Sequence, residues 1–173
     1  MATDSRYRVK FRRARIGKTD YRARKQMLIS RKPRFVVRKS INHTNIQLVT
    51  PVKEGDTTLV SANTVELKKY GYTGGTGNLP AAYLAGLLLG YRAKKNGQTE
   101  AILDMGLYEA TKGGRIFAAV KGALDSGLDI PHNPEIFPAD ERIKGKHIDK
   151  YKKTNISEQF EAVKQKIQKD LGD

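Results

Sequence analysis

Cysteine and tryptophan are both absent from the 173 residues. Without a thiol there is no disulfide scaffold, zinc ribbon, iron–sulfur centre or cysteine nucleophile. A chain of this length buries about 70% of the surface its unfolded form exposes, so it needs no covalent or metal staple. Long hydrophobic runs are missing as well. No segment approaches the roughly 20 apolar residues of a membrane span, and residues 1–20 hold no apolar stretch suited to a secretory leader. The expected setting is the cytoplasm, with no membrane partner. The triplets Asn42-His43-Thr44 and Asn155-Ile156-Ser157 then read as chance matches to a glycosylation pattern.

Acids are scarce in one place above all. The chain carries 33 Lys/Arg against 18 Asp/Glu, a net charge of +15, and residues 1–40 hold 15 of those cations with only 2 acids. Arg6, Arg8, Lys10, Arg12, Arg13, Arg15, Lys18, Arg22, Arg24, Lys25, Arg31 and Lys32 form an almost unbroken basic series. Such a stretch repels itself and has too few apolar residues to collapse, so a polyanion must order it. Arginine predominates over lysine in the series, and guanidinium forks reach phosphate bidentately and stack on bases. An anionic lipid surface would require a broad apolar helix face beside the charges, which Val9, Phe11, Ile16 and Tyr21 do not supply. Nucleic acid is the expected partner.

The pattern divides the chain into a basic arm with a short helix (1–32), a globular α/β part (33–129) and an extended basic tail with a terminal helix (130–173). In the first, Thr19 or Asp20 caps a helix ended by Pro33, with Lys18, Arg22 and Lys25 aligned as a cationic ridge. Residues 34–40 alternate basic and apolar, a strand with Phe35 and Val37 inward. Strands over 46–52 and 57–62 follow, giving an antiparallel meander. Asn78 and Pro80 open a helix to about Lys95, whose small face of Ala82, Gly86 and Gly90 suits close approach to a sheet. A fourth strand over 100–105 lies beyond this crossover and is expected to run parallel to a neighbour. A helix from Arg115 to Asp125 completes a βββαβα mixed sheet with helices packed on it. Pro131, Pro134 and Pro138 mark an extended connector. The tail's second basic patch, 142–153, precedes a helix that Asn155 and Glu158 would cap, with the apolar stripe Ile156, Phe160, Val163 and Ile167.

Catalytic chemistry finds little support. The loop around Gly74, Gly75 and Gly77 lacks the Gly-Lys-Ser/Thr of a phosphate loop and the third glycine of a dinucleotide motif. His43, His132 and His147 have no ligand spacing, no Ser/His/Asp set can be assembled, and Asp104 reads as a structural, hydrogen-bonded aspartate. No cofactor and no metal are expected. Composition and pattern stop at a protein that binds structured nucleic acid, leaving a factor for another folded RNA, such as transfer RNA, as the alternative.

Several strings narrow this further: 17–24 (Gly-Lys-Thr-Asp-Tyr-Arg-Ala-Arg), 33–40 (Pro-Arg-Phe-Val-Val-Arg-Lys-Ser), 59–62 (Leu-Val-Ser-Ala), 113–125 (Gly-Gly-Arg-Ile-Phe-Ala-Ala-Val-Lys-Gly-Ala-Leu-Asp) and 130–132 (Ile-Pro-His). In this order they resemble the L-eighteen family of large-subunit ribosomal proteins, archaeal type, with its eukaryotic L-five counterpart. The resemblance implies a structural protein that binds 5S rRNA and attaches it to the large-subunit rRNA in the central protuberance, beside neighbouring ribosomal proteins. It places on RNA the arm (Arg6 to Arg24, Tyr21 included) and the hairpin residues Arg34, Arg38, Lys39, Ser40, Asn42, His43, Asn45 and Gln47. The loop residues Gly74, Gly75, Gly77 and Asn78 join them, with Lys112 and Arg115 beside a helix N-terminus; the charge pattern, apart from the resemblance, adds Arg142, Lys144, Lys146 and His147 of the tail patch as RNA-binding candidates. On this reading Arg34 and Arg38 stand on the solvent side of their strand.

Overall fold

The computed structural model describes residues 4–172. A turn of helix, α1 (Arg12–Arg15), interrupts the basic arm and leads into α2 (Tyr21–Ile29). Asp20 caps α2, its carboxylate accepting from the amides of Arg22 and Ala23 at 2.8 and 3.2 Å. Lys18 lies before that cap, so the expected ridge is reduced to Arg22 and Lys25. The helix ends at Ile29, four residues ahead of Pro33, where Arg31 turns the chain with a φ of 58°.

Four strands follow: β1 (Arg34–Lys39), β2 (Thr44–Val52), β3 (Gly55–Asn63) and, after a 3₁₀ segment (Thr64–Tyr70) and α3 (Leu79–Lys95), β4 (Ile102–Asp104). They make one mixed sheet in the order β3-β2-β1-β4, as an α/β fold with helices on a sheet requires. β1 pairs antiparallel with β2 and parallel with β4, whose three residues are half the length expected. A bulge shifts the β2–β3 register, Leu48 facing Val60 and Val49 facing Thr58, with Leu59 between.

Phe35, Val37, Ile46, Leu48, Val60 and Ala62 form the inner face of the sheet and are buried. Against them lies α3, which is buried on every side from Leu79 to Gly90, more than the single apolar face read from its sequence. Gly86 and Gly90 meet α4 (Arg115–Asp125) and the Ser126 that follows it. A Cβ on Gly86 would stand 1.9 Å from the Ala119 carbonyl oxygen, and one on Gly122 only 2.1 Å from that of Tyr83. The two helices touch backbone to backbone, which only glycine permits.

The connector after Ile130 is not extended. It contains a 3₁₀ turn (Pro134–Ile136), α5 (Asp140–Ile143) and α6 (Lys146–Lys152) before α7 (Ile156–Leu171). The stripe Ile156, Phe160, Val163 and Ile167 is buried against the protein's own body, with the Phe160 ring 5.3 Å from that of Tyr83. Asn155 does not cap α7, because its backbone (φ −102°, ψ 49°) is not the extended conformation a cap requires. Asp149 of α6 does so instead, accepting from the amides of Ile156 (2.7 Å) and Ser157 (2.9 Å). Those bonds, with that from the Ser157 hydroxyl, hold the Asp149 carboxyl below the usual carboxylate range.

Candidate nucleic-acid interface

Charge on the arm is left open to solvent. Arg6, Arg8, Lys10, Arg12, Arg13, Arg15, Lys18 and Arg22 are all exposed. Among the described residues, Arg24 and Lys32 alone of the twelve basic residues from 6 to 32 reach a carboxylate, Asp56 and Glu100 respectively. Ten cations are therefore uncompensated. The arm is positioned by light contacts, Arg13 Nε donating to the Thr19 hydroxyl (2.9 Å) and Phe11 stacking obliquely on Tyr21 with ring centres 5.0 Å apart. Phe11, Val9 and Ile16 stay mostly exposed.

Arg34 departs from expectation. Its side chain points away from Phe35 and Val37, as the alternation requires, but α2 lies over that face and the residue is only 3% exposed. Its guanidinium bridges two carboxylates, Asp104 at 2.9 Å and Asp56 at 2.7 Å. Arg38, half-exposed, donates to Asp104 Oδ1 (2.9 Å) and to its backbone carbonyl (2.8 Å), while Arg24 grips both oxygens of Asp56 at 2.8 Å. The Arg24 hydrogen bond, reinforced by Arg34, brings the Asp56 carboxyl down to about 2. Burial pushes Asp104 upward, but Arg38, the Gly106 amide and Arg34 outweigh it and hold the carboxyl low. Arg34 is thus a structural residue enclosed in an ionic network and is not presented to a ligand. Asn45 and Gln47 share the outer face, and Gln47 lines the groove of about 410 Å³ between α2 and the sheet.

A second region lies at the far end of β1. The β1–β2 turn, the glycine loop, the start of α4 and the tail enclose a cleft of about 1210 Å³. Contacts explain its shape. Thr76 has one hydroxyl proton and donates it to the Asn42 carbonyl (2.8 Å), so the 2.9 Å contact with His43 makes His43 Nδ1 the donor. A Cβ on Gly77 would meet the Ile41 carbonyl oxygen at 2.6 Å, so turn and loop close on each other only with glycine here. Arg115 Nη1 donates to the carbonyls of Ser40 (3.0 Å) and Gly77 (2.9 Å). The Ser40 hydroxyl closes the turn on His43, and Asn78 caps α3 and bonds the Tyr72 hydroxyl. Ser40, Asn78 and Arg115 therefore build the cleft more than they line it with free donors, whereas Lys39, Asn42, Gly74 and Gly75 do line it and Lys112 is exposed beside it.

The tail patch is divided by its pairing. Lys144 binds Glu161 (3.0 Å) and Lys146 binds Glu141 (3.5 Å), but Arg142 and His147 line the cleft. Sequence reasoning passed over Lys152, Tyr151 and Ile41, which line it too, the last two 85% and 91% exposed. The available signal was an aromatic inside a basic run and an isoleucine in a polar turn. Among the described residues no Asp or Glu lines the cleft. Among the described residues no group of three or more His, Asp or Glu could hold a metal, and no helix is long and apolar enough to cross a membrane.

Two regions shaped for a polyanion fit what the chain is similar to. The family described as ribosomal large subunit proteins 60S L5 and 50S L18 matches residues 5–100 and 92–133. A protein of Methanococcoides burtonii is 54% identical over 168 residues, covering 96% of this chain and 97% of its own. One of Methanoregula boonei is 54% identical over 173 residues and covers 99% of both. One of Methanothrix thermoacetophila is 48% identical over 167 residues, 96% of this chain and 99% of its own. Each bears the name large ribosomal subunit protein uL18. With the family's pattern spanning residues 5–133 and such relatives covering the tail as well, the chain belongs to the family of ribosomal large subunit proteins 60S L5 and 50S L18, a structural ribosomal protein and not an enzyme.

Proposed function

We propose that this protein binds 5S rRNA and helps attach it to the large-subunit rRNA in the central protuberance of the cytoplasmic ribosome. The observation that carries this reading is the arm, with ten exposed or half-exposed cations that no carboxylate among the described residues compensates. A-form RNA hides its bases in a deep, narrow groove, so recognition falls to phosphates, 2′-hydroxyls and unpaired bases. An arginine-rich segment held by few contacts can follow such a backbone. The outer face of the sheet offers Gln47 and Asn45 beside the arm, and the cleft offers a second, concave surface with basic walls. Binding to two RNA surfaces at once is what attachment of one RNA to another demands.

The test is the salt dependence of binding to a 5S rRNA transcript. If about six arm cations each neutralise a phosphate, log affinity falls with log salt at a slope of about 4 to 5. Deleting residues 1–18, which spares α2 and Arg24, should flatten the slope while leaving the fold of the α/β part intact. An unchanged slope refutes the assignment of the arm. Sequencing the RNA that stays bound through a high-salt wash separates 5S rRNA from other folded RNAs.

A further inference from the structure

The 1210 Å³ cleft is lined by residues from four segments far apart in sequence, and its chemistry differs from that of the arm. The Gly74–Gly77 loop lines it, and the amides of Gly74, Gly75, Thr76 and Gly77 donate to no acceptor among the described residues, so they remain available to a ligand. On the tail side stand Arg142 and Lys152, neither of them paired with a carboxylate among the described residues, although their neighbours Lys144 and Lys146 both are. Tyr151, 85% exposed, lies on the same wall, and Ile41, 91% exposed, on the opposite lip.

Exposed aromatic and apolar side chains beside unpaired cations and free amides, with no acid, match the needs of unstacked nucleotides: planar bases, each joined to a phosphate. A duplex fits poorly, because its bases are stacked inside and it offers Tyr151 no face to cover. The volume exceeds the roughly 300–1,000 Å³ of a pocket for one drug-sized ligand, leaving room for about two or three nucleotides. We propose that the cleft binds a short unpaired segment of rRNA, with a base on Tyr151 and phosphates on the Gly74–Gly77 amides, Arg142 and Lys152. The inference rests on the RNA-binding reading above and adds to it a single-strand subsite whose outer wall is the tail. Gln159 of α7 ties that wall to the loop, accepting from the Thr73 amide (3.2 Å) and hydroxyl (2.9 Å).

The experiment uses the full chain with two probes, a 5S rRNA transcript and a large-subunit rRNA transcript, since either can supply the unpaired segment. Ultraviolet crosslinking followed by mass spectrometry should join a peptide containing Tyr151 to an unpaired nucleotide of one transcript, which identifies the source. Tyr151→Ala should weaken binding to that RNA by about tenfold, in keeping with the loss of one stacked base. It should leave the salt slope unchanged, and Tyr151→Phe should restore affinity. Arg142→Gln with Lys152→Gln should lower the slope by about 1 to 2. Crosslinks only to paired nucleotides, or a Tyr151→Ala protein that binds both transcripts as the parent does, overturn the proposal. In that case a slope still flattened by deleting residues 1–18 leaves the arm reading standing, whereas a parent protein with no affinity for either RNA ends both.

Discussion

Replacing Arg34 by methionine keeps a long, mostly apolar side chain but removes the guanidinium that joins Asp104 to Asp56. Breaking a buried ion pair by deleting one partner typically costs about 3–5 kcal/mol, because a desolvated charge is left behind. Here the loss should be smaller. Asp104 keeps Arg38 and the Gly106 amide, and Asp56 keeps both bonds from Arg24. Arg34 Nε is itself buried without a partner, a penalty the substitution relieves. The expected net destabilisation is about 2 kcal/mol, a drop of about 1 M in urea midpoint for a slope of 1–3 kcal/mol/M. Far-UV circular dichroism and tyrosine fluorescence should report the same transition, as tryptophan is absent. Arg34→Met with Asp104→Leu should recover part of the loss, since Arg38, half-exposed, can turn to water. Under folding conditions Arg34→Met should bind RNA with the parent's salt slope. A variant as stable as the parent would show that the bridge adds nothing to the fold, and one whose slope falls by about 1 that Arg34 meets phosphate after all.

Two further outcomes follow from the packing and the ionic network. Gly86→Ala drives a methyl into the Ala119 carbonyl, a clash with backbone that cannot move aside alone, so the melting temperature should fall by about 6–12 °C for a loss of about 3 kcal/mol; an unchanged melt would mean that α3 and α4 separate easily. Asp56 has its carboxyl lowered from the ordinary 3.8 to about 2. A depressed carboxylate stabilises the fold above its unfolded value and loses that contribution as pH falls through the folded one. Urea midpoints should therefore drop between about pH 4 and pH 2, by no more than about 1 kcal/mol from this partly exposed group, and Asp56→Asn should flatten that part of the profile.

The helix caps at Asp20 and Asn78, the strand alternation around Phe35 and the helix from Arg115 to Asp125 were legible because each depends on residues within one or two turns of each other. Arg34 was misread for the opposite reason. Its direction followed from period two, but the exposure of that direction depended on α2 crossing the sheet, and on Asp56 and Asp104 arriving from 22 and 70 residues away. The tail failed similarly. Prolines 131, 134 and 138 suggested an extended run, yet Asp149 reaches back from α6 to cap α7 and the stripe at Phe160 closes on Tyr83. The cleft was the least legible feature, since turn, loop, helix start and tail converge only in three dimensions.

The placement of the acids joins these observations. Glu66 meets Arg92, Asp125 meets Lys121, Glu161 meets Lys144, and Asp56 and Asp104 enclose Arg34. Residues 33–173 hold 21 Lys/Arg against 16 Asp/Glu, whereas residues 1–32 hold 12 against 2, so the larger part of the net charge of +15 lies on the arm. Charge that is compensated within the protein contributes little to attraction at a distance, whereas the uncompensated part sets the field a polyanion meets. The two regions differ in form: the arm is an exposed segment held by few contacts, the cleft a concavity with an aromatic at its edge. A ribbon can follow a phosphate backbone of any local shape, and a cavity selects the few nucleotides that fit. Affinity should therefore reside mainly in the arm and discrimination between RNAs mainly in the cleft.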